Sequence, residues 1–177
     1  MPTISQFFGI LIQMFWREHA PPHFHALYGE HEALIDIRTL QVLSGHLPKR
    51  ALANARIGER SSARVNGGLV PMSSKAVAEA DPATGVIPAA RWRIKALAVL
   101  PNYRIAVTFQ DGTQGVADLS AVTTCRECGI YSALKDPAYF QQVRMELGAV
   151  TWPNGADLDP LWMYEEISQR SEWIVPL

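Results

Sequence analysis

The stretch of residues 53–90 constrains the fold of this chain more than any other feature of the sequence. It contains four glycines and three prolines, and it keeps neither the 3.6-residue period of a helix nor the two-residue period of a strand. Such a stretch cannot bury much apolar surface. Because periodic segments lie on both sides of it, the sequence predicts two small folded modules, at residues 1–52 and 92–165. An irregular linker at residues 53–91 joins them, and a tail follows at residues 166–177.

The composition of the chain suits two such modules. The 177 residues are 48% hydrophobic, which is enough to bury a core in each module. The formal net charge is −1, so there is no general excess of positive charge to attract phosphate or anionic lipid. No apolar run approaches the roughly 20 residues of a membrane helix, and Arg17 comes too early for a signal peptide. We therefore expect a cytoplasmic protein without a membrane partner.

The first module is predicted to be mostly strands. Residues 4–16 are dense in β-branched and aromatic side chains and form either one strand or a bent pair broken at Gly9. Residues 23–28 form a strand, and residues 32–37 return beside it after a turn. Residues 47–52 then open a helix that has a proline near its first turn.

The second module combines a hairpin with two helices. Residues 94–99 form a strand, and the alternating residues 103–119 form a hairpin around Asp111 and Gly112. One helix is predicted from Pro137 to Leu147, followed by a short strand at residues 149–152.

A last helix begins at Asp159 and Pro160, where the aspartate can cap the first turn. The predicted fold class is therefore α+β, with two small modules, each a short and mainly antiparallel sheet with one or two helices.

Residues 1–52 resemble the bacterial family called domain of unknown function 4160. The resemblance rests on residues 1–5, 19–25, 28–30 and 47–50. Pro21 and Pro22 lie between histidines and are followed by a Tyr-Gly-Glu turn at residues 28–30, which is a rare combination. Residues 92–165 resemble a second family, domain of unknown function 2442. That resemblance rests on residues 109–112, 116–119, 134–140 and 152–158.

These two families often occur in bacteria as neighbouring small genes that have been suspected of encoding toxin and antitoxin partners. The resemblance therefore implies an uncharacterised bacterial interaction protein related to such a toxin/antitoxin-like unit. The resemblance also implies a protein partner or self-association. Nucleic-acid binding is unsupported, because the chain has neither a helix-turn-helix nor a zinc-finger pattern.

Residues 53–90 depart from the first family, in which the helix after Pro48 continues as an amphipathic stretch with an acidic residue, Asp and Trp in succession. A frameshift would explain the difference. One coding of residues 67–72, read one base later, encodes a segment that contains Glu, Asp and Trp in succession. On this hypothesis, the linker is the product of a shifted reading frame.

All five histidines lie within the first 46 residues, and three of them suggest a metal site. His19, His23 and His25 can supply imidazole ligands, and positions 23 and 25 share one face of a strand. No motif requires a cofactor, but a divalent metal such as zinc fits these side chains. Their spacing matches no established metal motif, so a polar sheet edge that binds a protein partner explains the same residues.

A catalytic interpretation uses the same cluster. His23 or His25 would act as a general acid or base, while Arg17, Lys49 or Arg50 would hold a phosphate, as in a small nuclease. No nucleophile or paired-carboxylate signature accompanies them. The sequence therefore favours a binding protein over an enzyme, with a metal-dependent enzyme or nuclease as the alternative.

Two features of the second module have alternative interpretations. Trp152, Asn154 and Asp157 form either a partner-binding loop or a turn whose tryptophan fills the core. Cys125 and Cys128 form a single pair, which favours two surface thiols over a zinc site or a disulfide.

Overall fold

The computed structural model describes residues 3–16, 19–62 and 85–177. Most of the predicted linker lies outside these ranges, including residues 67–72, on which the frameshift hypothesis rests. Arg17 also lies outside the described residues.

The first module is a five-stranded antiparallel sheet followed by one helix. Its strands pair in the order of the chain. They are β1 (Thr3–Phe7), β2 (Ile10–Gln13), β3 (His23–Tyr28), β4 (His31–Asp36) and β5 (Val42–Gly45), and helix α1 (Lys49–Ser62) follows. Phe8 and Gly9 form the turn between β1 and β2 with positive φ angles, so the first apolar stretch is a bent pair.

Helix α1 covers one face of this sheet. Its buried residues Ala51 and Ala55 lie four positions apart and pack against a core formed by β2, β3 and β4. That sheet core contains Ile10, Ile12, Phe24, Ala26, Ala33 and Ile35. The expectation that residue 53 begins an irregular linker is therefore wrong for residues 53–62. Closely spaced alanines are strong helix formers, and they outweigh the weak apolar period of this segment.

The second module contains two sheets. The first has the order β12-β8-β7-β6 and the second has the order β11-β10-β9. The strands are β6 (Ile94–Leu100), β7 (Arg104–Phe109), β8 (Gln114–Asp118), β9 (Arg144–Glu146), β10 (Ala149–Thr151), β11 (Asp157–Leu158) and β12 (Glu172–Ile174). The helices are α2 (Pro137–Phe140) and α3 (Pro160–Arg170), with 3-10 helices at Ser120–Thr123 and Gly129–Lys135.

Two expectations for this module are wrong. The helix that begins at Pro137 ends at Phe140. The rest of the predicted helix contains β9, which pairs with β10 across a turn at Leu147 and Gly148, both with positive φ angles. The segment 166–177 is not a tail. It completes α3 and adds β12, which pairs in parallel with β8 and buries Trp173.

The fold is thus α+β, with two sheet-bearing regions that have separate hydrophobic cores. A third, smaller cluster joins them, in which Leu34 of the first module packs with Trp92 and Leu161 of the second. Among the described residues, no helix has both the length and the apolar character needed to cross a membrane.

Candidate functional site

Strand alternation gives the first sheet two different faces. Phe24 and Ala26 of β3 point into the core beneath α1, so His23 and His25 point to the opposite face. On neighbouring strands the same rule places Gln13 and Glu32 on that opposite face. We call this surface the histidine face and define it by Gln13, His23, His25, Glu32 and Leu34. All five side chains are buried, although α1 lies on the other side of the sheet.

Residues of both modules bury the histidine face. Phe15 and His19 of the first module lie against His25 and His23, with ring centroids 4.8 Å and 5.3 Å apart. The second module adds to this cover. Its contributions come from the residues just before β6 and from the start of α3. Trp92 and Leu161 pack on Leu34, and the buried side chains of Arg93 and Asp159 approach the polar residues of the face. The site therefore lies between the two modules.

Arg93 makes the strongest polar link across this contact. Its guanidinium donates from Nε to Glu32 Oε2 at 2.8 Å and from Nη2 to Glu32 Oε1 at 2.6 Å. Nη2 also lies 3.2 Å from Gln13 Oε1, and Nη1 donates to the Leu147 carbonyl at 3.1 Å. Such a two-pronged pair fixes orientation as well as charge. Arg93 thereby aligns the sheet of one module with the β9–β10 turn of the other.

Glu32 remains ionised although it is buried. Burial alone would raise its pKa, but the adjacent positive charge of Arg93 and hydrogen bonds from His25 and Arg93 outweigh burial and lower the pKa from 4.5 to about 2. His25 Nδ1 lies 2.8 Å from Glu32 Oε1, which makes this nitrogen the donor and directs Nε2 away from Glu32. Glu32 thus orients one histidine and anchors the second module.

Asp159 of the second module meets the histidines. It caps α3, because its Oδ1 accepts from the Leu161 amide at 2.8 Å. Its Oδ2 lies 3.5 Å from His19 Nδ1 and 3.6 Å from His23 Nε2, and His25 Nε2 lies 3.6 Å from Oδ1. Burial opposes ionisation of Asp159, yet the surrounding imidazoles hold its pKa well below the ordinary value.

The structure brings together part of the predicted metal set. His19 and His23 converge with Asp159 so that one ligand atom from each lies within 4.8 Å of the others. His25 lies beside them, with its ring centroid 5.2 Å from that of His23, but it is outside this compact group. Sequence reasoning used Asp159 only as a helix cap, since its approach to the histidines depends on how the two modules dock.

Two of the predicted phosphate-binding residues lie far from the histidines. Lys49 and Arg50 lie exposed at the start of α1, and this helix covers the face of the sheet opposite to His23 and His25. Neither basic residue can hold a phosphate against those histidines, because the sheet separates them. Arg17 is outside the described residues.

The predicted partner-binding loop is mostly internal. Trp152 is fully buried and donates from Nε1 to the Phe140 carbonyl, so it is a core residue and cannot contact a partner. Asn154 is exposed, but its amide donates to the Ile130 carbonyl and holds the turn. Asp157 is buried and accepts from the Trp16 amide at 2.9 Å, so it contacts the first module.

The expectation of two surface thiols is also wrong. Cys125 and Cys128 are joined by a disulfide, and Cys128 is buried in the core of the second module. Their Cα atoms are 5.8 Å apart, within the usual span of such a bond. This bond closes the loop between the two 3-10 helices and leaves neither sulfur as a metal ligand.

Comparison with known families agrees with the two-module architecture. Residues 9–57 match the model of a domain of unknown function (DUF4160), and residues 94–169 match that of a protein of unknown function (DUF2442). No curated protein and no solved structure matches the chain. The two matched segments contain β2–β5 on one side and β6–β11 with α3 on the other, so each match covers one of the two sheet-bearing regions. The chain is therefore a fusion of a DUF4160 domain with a DUF2442 domain.

Proposed function

We propose that this chain is an interaction protein in which the DUF2442 domain binds the histidine face of the DUF4160 domain and covers it. The observation that carries the proposal is the complete burial of His23 and His25 on the face of the sheet that α1 does not cover. Arg93 and Asp159 of the second domain lie over this face, beside Phe15 and His19 of the first domain. The fusion thus keeps in one chain a complex that two separate proteins would otherwise form.

The charges across the contact support specific recognition. The first domain presents Glu32 and the second places Arg93 against it, while the second presents Asp159 and the first surrounds it with imidazoles. Opposite charges arranged in this way fix the register of two surfaces and exclude other partners. Leu34, Trp92 and Leu161 supply an apolar contact beside the polar one. The contact therefore combines a buried ion pair with an apolar cluster.

The same arrangement bears on the toxin/antitoxin-like interpretation. A histidine that acts on a substrate must reach the atom that it protonates or deprotonates. With no exposed surface, His23 and His25 cannot do so while the domains are docked. We propose that the DUF2442 domain is an antitoxin-like module that masks the histidines of a toxin-like DUF4160 module. The alternative function, a metal-dependent enzyme or nuclease, requires the domains to separate first.

The docking is tested by cutting the chain between its domains. A specific protease site is inserted after Ser73, and the purified full-length protein is cleaved and passed over a size-exclusion column. We expect the two fragments to co-elute. Arg93→Glu places a carboxylate against Glu32 and is expected to separate them, whereas Lys95→Glu, at an exposed position two residues away, is the matched control. Separation of the native fragments, each still folded by circular dichroism, would refute the docking.

The masking role is tested by growth of a bacterial host. We expect normal growth on expression of the native chain and slowed growth with Arg93→Glu, which exposes the histidine face. Adding His23→Ala and His25→Ala to Arg93→Glu is expected to restore growth. If Arg93→Glu separates the fragments but leaves growth unchanged, the toxin-like role is wrong while the docking stands.

A further inference from the structure

We propose that His19, His23 and Asp159 bind one divalent metal ion of the zinc class at the contact between the two domains. The candidate ligand atoms are His19 Nδ1, His23 Nε2 and Asp159 Oδ2, chosen from the short contacts of Asp159 Oδ2 with the two rings. One ligand atom from each of the three residues lies within 4.8 Å of the others. The inference rests on the proposed docking, because the carboxylate comes from the DUF2442 domain and the imidazoles from the DUF4160 domain. The ion would join the two domains through a site that neither completes alone.

The distances suit coordination better than hydrogen bonding. Asp159 Oδ2 lies 3.5 Å from His19 Nδ1 and 3.6 Å from His23 Nε2. Hydrogen bonds from nitrogen to oxygen are usually about 2.7–3.2 Å long. Zinc binds nitrogen and oxygen at about 2.0–2.1 Å in a tetrahedron, which separates neighbouring ligand atoms by roughly 3.4 Å. Both separations of Asp159 Oδ2 from the imidazole nitrogens are therefore close to those of ligands that share one ion, and the group as a whole lies within 4.8 Å.

The second ring nitrogen of His23 is held in the way that metal ligands usually are. His23 Nδ1 lies 2.9 Å from the Pro21 carbonyl, so it carries the proton and leaves the Nε2 lone pair directed at Asp159. His19 Nε2 lies 3.5 Å from Glu165 Oε2, on the side of the ring away from Asp159. Metal-bound histidines commonly donate their second nitrogen to a carbonyl or carboxylate oxygen, which fixes the tautomer. The His23 ring follows this pattern, and the carboxylate of Glu165 lies on the corresponding side of the His19 ring at a longer distance.

Asp159 is placed to give one oxygen to the ion. Its Oδ1 is engaged by the cap of α3, whereas Oδ2 is buried without a hydrogen-bond partner among the described residues. His19 Nδ1 is likewise buried without one. Buried polar atoms are rarely left in this state unless an ion or a water completes them. Imidazole with a single carboxylate is a donor set that suits zinc and the neighbouring transition metals rather than magnesium or calcium.

The test is a zinc titration of the full-length protein after treatment with a chelator. Calorimetry is expected to show one equivalent of bound zinc, with affinity reduced at least a hundredfold by His23→Ala. Asp159→Asn is the sharper variant, because asparagine also caps helices well while it removes the ligand charge. We expect it to keep the fold and to reduce affinity at least tenfold. The control is His31→Ala with His46→Ala, a second histidine pair of the same domain with ring centroids 4.8 Å apart, and it is expected to bind zinc like the native chain.

Three results would overturn the metal site. They are an absence of zinc binding, native affinity in both His23→Ala and Asp159→Asn, and loss of binding only in the His31/His46 control. The chain cleaved after the inserted protease site separates this inference from the docking. If its fragments co-elute in chelator but bind no zinc, the docking stands and the metal site is wrong. If the isolated first fragment binds zinc as tightly as the full chain, Asp159 is not a ligand and the shared site is wrong.

Discussion

Replacement of Arg93 by methionine should lower the free energy of unfolding more than replacement of an exposed residue nearby. The substitution removes the two hydrogen bonds to Glu32, at 2.6 and 2.8 Å, and leaves that carboxylate buried without its cation. The depression of the Glu32 pKa from 4.5 to about 2 corresponds to about 3 kcal/mol of net stabilisation, which remains after the charge of Arg93 and the hydrogen bonds of His25 and Arg93 offset the cost of burial. Loss of one partner from a buried ion pair typically costs about 3–5 kcal/mol. We therefore expect Arg93→Met to lower the free energy of unfolding by about 3–5 kcal/mol at neutral pH.

Urea unfolding of the full-length chain, followed by tryptophan fluorescence, measures this loss. Lys95→Met is the matched control, because Lys95 is exposed, and it should change the free energy by less than about 0.5 kcal/mol. The double variant Arg93→Met with Glu32→Leu removes both charges and should be less destabilised than Arg93→Met alone. The reasoning is refuted if Arg93→Met unfolds within about 0.5 kcal/mol of the native chain.

Three further predictions follow from the same structure. The stabilisation from Glu32 is fully present above pH 4.5 and is lost as the pH falls towards 2. The free energy of unfolding of the native chain should therefore fall more steeply over this range than that of Glu32→Gln. Equal pH dependence of the two free energies, measured by urea unfolding, would contradict this. Gly45→Ala should lower the melting temperature, since Gly45 has φ +71° and the added methyl group would collide with the Glu32 carbonyl. Gly112 also has a positive φ, but a methyl group there meets no atom within 4 Å, so Gly112→Ala should lower the melting temperature less. Trp152→Ala should lower the free energy of unfolding by about 3–5 kcal/mol, because Trp152 is a fully buried core residue. Calorimetry measures this loss, and a near-neutral result would contradict the burial of Trp152.

Local pattern was sufficient for the elements whose side chains alternate or whose ends are marked. Strands β3 and β4 and the hairpin of β7 and β8 follow from alternation, and α3 follows from the cap at Asp159 and the proline after it. Strands β9 and β12 have only three residues each, which is too short to show a period. They exist because backbone pairing with β10 and β8 stabilises them, and a single sequence does not reveal that pairing.

The candidate site was predictable only on the side of the first domain. The spacing of His23 and His25 places them on one face of a strand, and the structure confirms this. Arg93 and Asp159 were not predictable as parts of the site, because each reaches it across the contact between the domains. The sequence does indicate that a buried partner is needed, because charged residues such as Glu32 lie beside apolar positions in a strand. Such residues need a buried partner, but the sequence does not say where the partner lies.

Chemical modification of histidines in the native, full-length chain tests most directly whether the second domain covers the histidine face. The protein is treated briefly with diethyl pyrocarbonate, and each histidine is then quantified by peptide mass spectrometry. We expect rapid modification of His46, which is exposed, and protection of His23 and His25, with Arg93→Glu removing the protection. Modification of His23 and His25 as fast as His46 in the native chain would contradict the docking on which the proposed function rests.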